Sequence, residues 1–147
     1  MRLIIQRVNH ALVKVVKTSE ISGKINKGLF VLIGIKKGDI KSHAEELAKK
    51  IVKLRIMSDD QDKMNLSILD VKGEILAVSQ FTLYANTASG NRPSFIDTEA
   101  PEKAKEIYEF FIKTLRDLGV SVSTGSFGNY MKIDAELDGP VTIILES

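Results

Sequence analysis

A nearly continuous apolar run at residues 29–35 (Leu-Phe-Val-Leu-Ile-Gly-Ile) constrains the fold more than any other stretch of the chain. A strand with one solvated face alternates apolar and polar residues, whereas a strand buried on both faces forms an unbroken apolar run. The run is far too short to span a membrane as a helix, and Lys37-Gly38-Asp39 ends it. We therefore predict a central strand that is covered on both of its faces.

Other strands and two helices are predicted around it. Residues 2–16 alternate loosely and are rich in Ile, Leu and Val, which indicates one long strand bent near Asn9-His10. Ser42-His43-Ala44-Glu45 has the pattern of a capping box, followed by apolar residues at helical spacing, so a helix is predicted over residues 42–54. A second helix is predicted from Pro101 to a stop at Gly119. The remaining predicted strands are residues 21–25, 74–83, 120–124, 131–137 and 141–145.

This order of elements predicts an α/β fold with two helices covering one sheet. The chain has 147 residues, enough for one domain with a sizeable core, and it contains no repeat or linker. We therefore assign residues 1–147 to a single domain.

The composition excludes several kinds of chemistry. There is no cysteine, which removes disulfides, thiolate nucleophiles and cysteine-bound zinc, and fits a reducing cytoplasm. The N-terminal apolar run is too short for a signal peptide, and no membrane span is expected.

The charges are unevenly distributed along the chain. Residues 1–55 hold 13 Lys and Arg against 4 Asp and Glu, whereas residues 56–147 hold 8 against 15. Two interpretations remain open: the two halves attract each other across the fold, or the basic half presents a surface for a phosphate backbone.

Residues 78–85 (Val-Ser-Gln-Phe-Thr-Leu-Tyr-Ala) are the strongest candidate for a functional segment. They begin as an apolar strand and lead into the polar, irregular residues 86–93, as in a binding loop on a rigid scaffold. Taken alone, residues 79–83 also fit a buried strand whose hydroxyls bond to neighbours.

The chain has only two histidines and no evident paired carboxylates or Ser/His/Asp arrangement. Its Ser, Thr, Gln and backbone amides suit polarising a carbonyl better than abstracting a proton.

Five motifs occur in an order that resembles one enzyme family, the D-aminoacyl-tRNA deacylases, also called D-tyrosyl-tRNA deacylases. Each motif is weak alone, but five in register over essentially the whole chain are specific. They are Met1-Arg2-Leu3-Ile4-Ile5-Gln6-Arg7-Val8, Lys63-Met64-Asn65-Leu66-Ser67, Ser79-Gln80-Phe81-Thr82-Leu83-Tyr84-Ala85, Arg92-Pro93-Ser94-Phe95 and Asp138-Gly139-Pro140-Val141-Thr142.

The resemblance implies a three-layer α/β/β, partly barrel-like domain that forms a homodimer. It implies hydrolysis of the ester between tRNA and a mischarged D-amino acid or glycine, with no metal or cofactor. The partner is then tRNA, and the location is the cytoplasm without a membrane.

The resemblance also assigns roles to residues. Ser79, Gln80, Phe81 and Thr82 would form the catalytic segment, with the backbone amides near Phe81 and Thr82 polarising the ester carbonyl.

Gly139-Pro140 resembles the family's Gly-cisPro element, which enters the partner subunit's pocket and rejects L-amino acids; read from the residues alone, it fits an ordinary trans turn. Phe127 and Met131 match the residues that pack near the terminal adenine, with simple core packing as the alternative. The family commonly has arginine where this chain has Ser126, which weakens any phosphate contact there.

The mechanism stays open between two alternatives. In the first, the Thr82 hydroxyl attacks the ester, but this requires an activating base that the sequence does not offer. In the second, which we favour, the terminal 2′-hydroxyl of tRNA or a water that it orients does the chemistry, and protein amides stabilise the oxyanion. Two rival functions are a non-catalytic RNA-binding module and a ligand-free dimerisation domain.

Overall fold

The protein is a mixed α/β structure, and the computed structural model describes all of residues 1–147. Along the chain lie strands β1 (Arg2–Val15), β2 (Ile21–Ile25) and β3 (Gly28–Gly34), helix α1 (Lys41–Ile51), strands β4 (Met57–Ser58), β5 (Met64–Leu66) and β6 (Glu74–Ser79), a 3-10 turn (Phe81–Tyr84), helix α2 (Pro101–Asp117), and strands β7 (Ser121–Thr124) and β8 (Met131–Glu146).

Strand β3 lies at the centre of the main sheet. It pairs with β1 in antiparallel fashion and with β6 in parallel, and β6 in turn pairs in parallel with β7. The second half of β1 pairs with β2, and Ser123 Oγ of β7 donates to the Lys24 carbonyl of β2 at 3.0 Å. The strands therefore curl into a nearly closed barrel, while β8 runs along the other edge of β1.

Alternation along β3 divides the apolar side chains between two cores. Leu29, Val31 and Ile33 belong to the larger core, under the two helices. Phe30 points the other way, into a smaller core inside the barrel with Leu76 and other residues of β1, β2 and β6. The prediction of a strand buried on both faces is confirmed, because each face of β3 meets its own core.

Helix α2 follows its predicted pattern. Pro101 begins it, and its buried residues are Ala104, Ile107, Tyr108, Phe111, Ile112 and Leu115.

Helix α1 buries one face in the same way, but the predicted capping box is wrong. The helix begins at Lys41 after Ile40, and no side chain caps it, so Ser42 lies inside the first turn. The helix also ends at Ile51, before the predicted residue 54, because Lys53 and Leu54 bond three positions back instead of four.

Two predicted strand boundaries are also corrected. The segments 131–137 and 141–145 form one strand, because β8 pairs with β1 on both sides of Gly139-Pro140. The strand predicted over residues 74–83 ends at Ser79. The predicted bend of β1 coincides with an irregularity in its register between Val8 and His10. No helix has the length and apolar character needed to cross a membrane.

The pairing of β3 with β6 requires glycine at position 28. A Cβ atom there would lie 1.9 Å from the Glu74 carbonyl oxygen and within 3 Å of the Glu74 C and N atoms, so it would clash with backbone and not with a flexible side chain. We expect Gly28→Ala to lower the free energy of unfolding by about 3 kcal/mol or more, at the upper end of overpacking costs. Urea denaturation checks this, with the exposed neighbour Lys27→Ala as control. Equal stability of the two variants would contradict the proposed clash.

Candidate active site

The candidate site begins where β6 leaves the sheet. The Gln80 N–H donates to the Ile33 carbonyl at 2.7 Å, which is the last backbone hydrogen bond of this segment to β3. The chain then turns into the 3-10 helix, so the expectation that residues 79–83 continue as a buried strand is wrong. Ser79 and Gln80 are half-buried, whereas Phe81 and Thr82 are exposed.

The start of the 3-10 turn supplies backbone donors. Its first intrahelical hydrogen bond runs from the Leu83 N–H to the Gln80 carbonyl at 3.3 Å. The N–H groups of Phe81 and Thr82 precede that bond and therefore have no acceptor within the turn. Two adjacent amides of this kind can stabilise a developing oxyanion.

Long-range contacts fix the far end of the turn. Arg2 Nη1 donates to the Leu83 carbonyl at 2.6 Å, and its guanidinium lies 4.9 Å from the centre of the Tyr84 ring. Gly34 allows the close approach, since a Cβ atom there would lie 2.9 Å from the Leu83 Cβ. Burial raises the pKa of Tyr84 to about 12, so its hydroxyl stays protonated.

A cavity of about 540 Å³ opens beside this segment. Ser79, Gln80 and Phe81 form one wall, and Phe127 and Met131 form another, so five residues predicted from separate motifs are brought together. The other lining residues are Ile35, Val78, Thr98, Glu99, Pro101, Ala104, Gly128, Asn129, Tyr130 and Ile133. The walls are mostly apolar, with a few polar groups, as expected for a small-ligand site.

Aromatic contacts position both walls. The Phe81 ring meets the Phe95 ring edge to face, with 5.0 Å between centroids. The Phe127 ring lies 5.8 Å from that of Tyr108, whose hydroxyl donates to the Ala77 carbonyl at 2.9 Å. Burial raises the pKa of Tyr108 above its usual range, which keeps this donor in place. Phe127 thus packs against the core and also lines the cavity.

Glu99 is a cavity residue that the sequence analysis missed. Its carboxylate accepts hydrogen bonds from Lys103 Nζ and the Ala100 N–H, both at 2.9 Å. These bonds, the Lys103 contact foremost, hold the pKa of Glu99 below its usual range. The carboxylate is therefore charged and already paired. Its only sequence signal was its position two residues before the proline that begins α2.

Thr82 lies beside the cavity and does not line it. Gln80 Nε2 donates to its Oγ1 at 2.5 Å, so the hydroxyl is oriented by an amide, which cannot accept a proton. His43 Nδ1 contacts Asp39 at 3.1 Å and His10 Nδ1 contacts Glu136 at 3.4 Å, and neither histidine lines the cavity.

Gly139 and Pro140 are exposed and lie outside this chain's own cavity. The peptide bond between them is cis. The buried Arg7 side chain fixes the segment: its Nε lies 2.9 Å from Asp138 Oδ2, and its Nη1 donates to the Ile56 carbonyl at 3.0 Å. Arg7 thus anchors an exposed backbone segment that does not line this chain's own cavity.

Ser126 closes the turn that carries Phe127. Its hydroxyl accepts a hydrogen bond from Asn129 Nδ2 at 2.7 Å, and its N–H donates to the Met131 sulfur at 3.2 Å. The side chain that replaces the family's arginine therefore serves the turn itself. Nowhere in residues 1–147 do three His, Asp or Glu side chains converge as a metal site.

Comparison with known proteins points to one family. The family model described as D-Tyr-tRNA(Tyr) deacylase matches residues 4–146. A D-aminoacyl-tRNA deacylase of Thermosipho melanesiensis is 53% identical, with 100% of this chain and 97% of the relative covered. One of Aquifex aeolicus is 49% identical, with 100% and 98% covered.

Two solved structures share the fold. The structure named "c-Myc DNA Unwinding Element Binding Protein" superposes with a TM-score of 0.93 at 38% identity, over 100% of this chain and 99% of that one. The structure of a probable eukaryotic D-amino acid tRNA deacylase gives a TM-score of 0.83 at 16% identity, over 99% and 98%. The three-layer, barrel-like α/β prediction is confirmed by these matches.

Proposed function

The chain belongs to the D-aminoacyl-tRNA deacylase family and is an ester hydrolase of that type, and from this premise we propose how its cavity performs the reaction. The substrates are D-aminoacyl-tRNA and glycyl-tRNA, and the products are the free amino acid and tRNA. The observation that carries the proposal is the cavity itself, where Ser79, Gln80 and Phe81 face Phe127 and Met131. Because its substrate is tRNA, we place the enzyme in the cytoplasm.

The terminal adenosine of the tRNA lies against Phe127 and Met131. Phe127 suits this position because packing against Tyr108 holds its ring while one side stays open to the cavity. The aminoacyl ester then extends toward the start of the 3-10 turn, where the amides of Phe81 and Thr82 donate to the carbonyl oxygen. Removing one such donor typically costs about 3–4 kcal/mol of barrier, so two donors matter greatly for an activated ester.

The tRNA, and not the protein, orients the attacking group. A water oriented by the terminal 2′-hydroxyl adds to the ester carbon, the bond to the 3′-oxygen breaks, and a proton from the water passes to that oxygen. Support comes from the surroundings of Thr82, whose hydroxyl is bonded to the Gln80 amide and has no base beside it. Thr82 therefore orients the turn and does not attack.

Gly139-Pro140 rejects L-amino acids, and it acts in the pocket of a second copy of the chain. Both residues are exposed outside their own cavity, and Arg7 holds the segment rigid through Asp138. A backbone segment without a long side chain cannot bend away from a misplaced Cβ atom. It therefore clashes with the Cβ atom of every L-amino acid, whichever side chain that amino acid carries. Glycine has no Cβ atom and escapes this penalty.

Exposed apolar residues on β8 favour the homodimer that this arrangement requires. Ile133, Leu137 and Ile144 are 42%, 44% and 61% exposed, and all lie on the strand that carries Gly139-Pro140. Covering them would remove apolar surface from water.

The first prediction of this mechanism tests whether the reaction depends on the Thr82 hydroxyl or on the terminal 2′-hydroxyl of the tRNA. Thr82→Ala is expected to keep kcat/KM within about tenfold of wild type, because no attacking group is lost. A tRNA that ends in 2′-deoxyadenosine is expected to abolish turnover. Single-turnover deacylation of D-Tyr-tRNA measures both. An inactive Thr82→Ala together with normal cleavage of the 2′-deoxy substrate would identify threonine as the nucleophile.

The second prediction concerns chirality. Wild type should cleave D-Tyr-, D-Asp- and Gly-tRNA and spare L-Tyr-tRNA, because backbone rejection ignores the side chain. Gly139→Ala should lower cleavage of D-Tyr-tRNA by about 100-fold, since a Cβ atom there would lie 2.8 Å from both the Val141 N and Cγ2 atoms and displace the segment. Gly119→Ala is the matched control, because Gly119 also has positive φ, at +92°, but meets nothing within 4 Å.

Equal cleavage of D- and L-Tyr-tRNA by wild type would refute the backbone account. An equal loss of activity in Gly119→Ala would show that the effect comes from stability alone. Binding of D-Tyr-tRNA without any hydrolysis would favour the RNA-binding module instead of the enzyme.

A further inference from the structure

The rim of the cavity continues onto an outer face where β1 ends and β8 begins. Val15 pairs with Met131 and Lys14 with Lys132, and the Val16 N–H donates to the Tyr130 carbonyl at 3.0 Å. Because side chains alternate along a strand, Met131 turns toward the cavity while Lys132 turns outward, on the same side as Lys14 opposite it. Tyr130 directly precedes the strand and lines the cavity at the border of this outer side. We call the exposed residues Tyr130, Lys132 and Lys14 the rim face.

Tyr130 is the most exposed large hydrophobic side chain of the protein, with 81% of its surface accessible. It also lines the cavity beside Phe127 and Met131. Its hydroxyl has no hydrogen-bond partner, and its ring packs against no other aromatic ring. An aromatic ring held at the mouth of a cavity and left in water offers a stacking surface for a base.

Lys14 and Lys132 lie directly opposite each other, and both are exposed. Like charges in this arrangement destabilise a sheet. Neither ammonium has a carboxylate within 4 Å, although most charged residues on the helices are paired. Asp134 lies on the same face, opposite Leu12, and makes no ion pair. An anion bound between the two lysines would remove their repulsion.

We propose that the rim face binds the single-stranded end of tRNA immediately before the terminal adenosine. The penultimate base stacks on Tyr130, and the neighbouring phosphates contact Lys14 and Lys132. This inference rests on the proposed function, since it assumes that the terminal adenosine lies between Phe127 and Met131. The rim face is the direct continuation of that wall of the cavity.

Charge favours RNA over a protein partner on this face. Val16 and Ile21 are 41% and 59% exposed nearby, so an apolar contact is available. A protein partner or second copy would, however, bury two unpaired ammonium groups side by side, at a high cost in free energy. A phosphate backbone neutralises both ammonium groups while they stay in water.

The test compares two substrates, D-tyrosyl-tRNA and D-tyrosyl-adenosine, which lacks every nucleotide before the terminal one. Tyr130→Ala should raise KM for the tRNA by about tenfold or more, from lost stacking, and Tyr130→Phe should restore it.

The double variant Lys14→Gln/Lys132→Gln should weaken tRNA binding and reduce the slope of log K against log salt by about 1.4. The control is Lys50→Gln/Lys53→Gln, an equal change of charge at two exposed lysines, the first within α1 and the second just after it. Cleavage of D-tyrosyl-adenosine should be unchanged in both lysine pairs, and Tyr130→Ala should reduce it much less than it reduces cleavage of the tRNA, since Tyr130 also lines the cavity.

Two results would overturn the inference while leaving the proposed function intact. One is that the rim-face variants have the same KM and affinity for the tRNA as the control pair. The other is an equal loss on D-tyrosyl-adenosine, which would mean that Tyr130 or the lysines act on the terminal adenosine or on the cavity itself. A change in sedimentation of the rim-face variants would assign the face to protein contact and also refute it. Failure of wild type to cleave either substrate would refute the proposed function, and with it this inference.

Discussion

The parallel pairing of β3 with β6 determines where the chemistry takes place. β3 is buried on both faces, and β6 follows it until the Gln80 N–H reaches the Ile33 carbonyl. Beyond this bond the sheet offers no further partner, so the chain turns into a 3-10 helix whose first amides lie beside the cavity. Binding groups at the carboxyl ends of parallel strands are a general feature of α/β folds. Here the strand end supplies backbone donors and no base, which suits an ester that needs its carbonyl polarised.

The two open interpretations of the charge distribution both find support in the contacts. Arg2 pairs with Glu146, Arg7 with Asp138, and Lys41 with Glu106, so basic residues of the first third contact acidic residues of the remainder. The buried Arg7 contact matters most, because it holds the Gly139-Pro140 segment. Lys14 and Lys24, in contrast, have no acidic partner and leave a basic strip on the outer face of the barrel. Part of the excess charge therefore stabilises the fold, and part remains available to an anion.

Sequence periodicity correctly predicted the strands and helices whose position depends on burying an apolar face. It failed for segments whose conformation depends on contacts with residues far away in the sequence. Loose alternation located β1, an unbroken apolar run located β3, and apolar residues at helical spacing located α2. Residues 79–83 alternate like a strand, but the close approach of Leu83 to Gly34 and the Arg2 contact with its carbonyl favour the 3-10 turn. The capping pattern at Ser42 was misleading because the helix begins one residue earlier, at Lys41. The motifs named Ser79, Gln80, Phe81, Phe127 and Met131, which the structure places around one cavity, whereas Glu99 reaches that cavity through a loop that no local pattern identifies.

The central claim is that each cavity is completed by Gly139-Pro140 of a second copy, and a mixed dimer tests it most directly. One subunit would carry Ser79→Phe, which fills its cavity, and the other Gly139→Ala, which spoils its protrusion. In the isolated heterodimer the intact cavity meets the intact protrusion only across the interface, so one of its two sites should work, at about half the wild-type rate per dimer on D-Tyr-tRNA. Both homodimers should be inactive. A heterodimer as inactive as its parents would show that the protrusion acts within its own chain and would contradict the account.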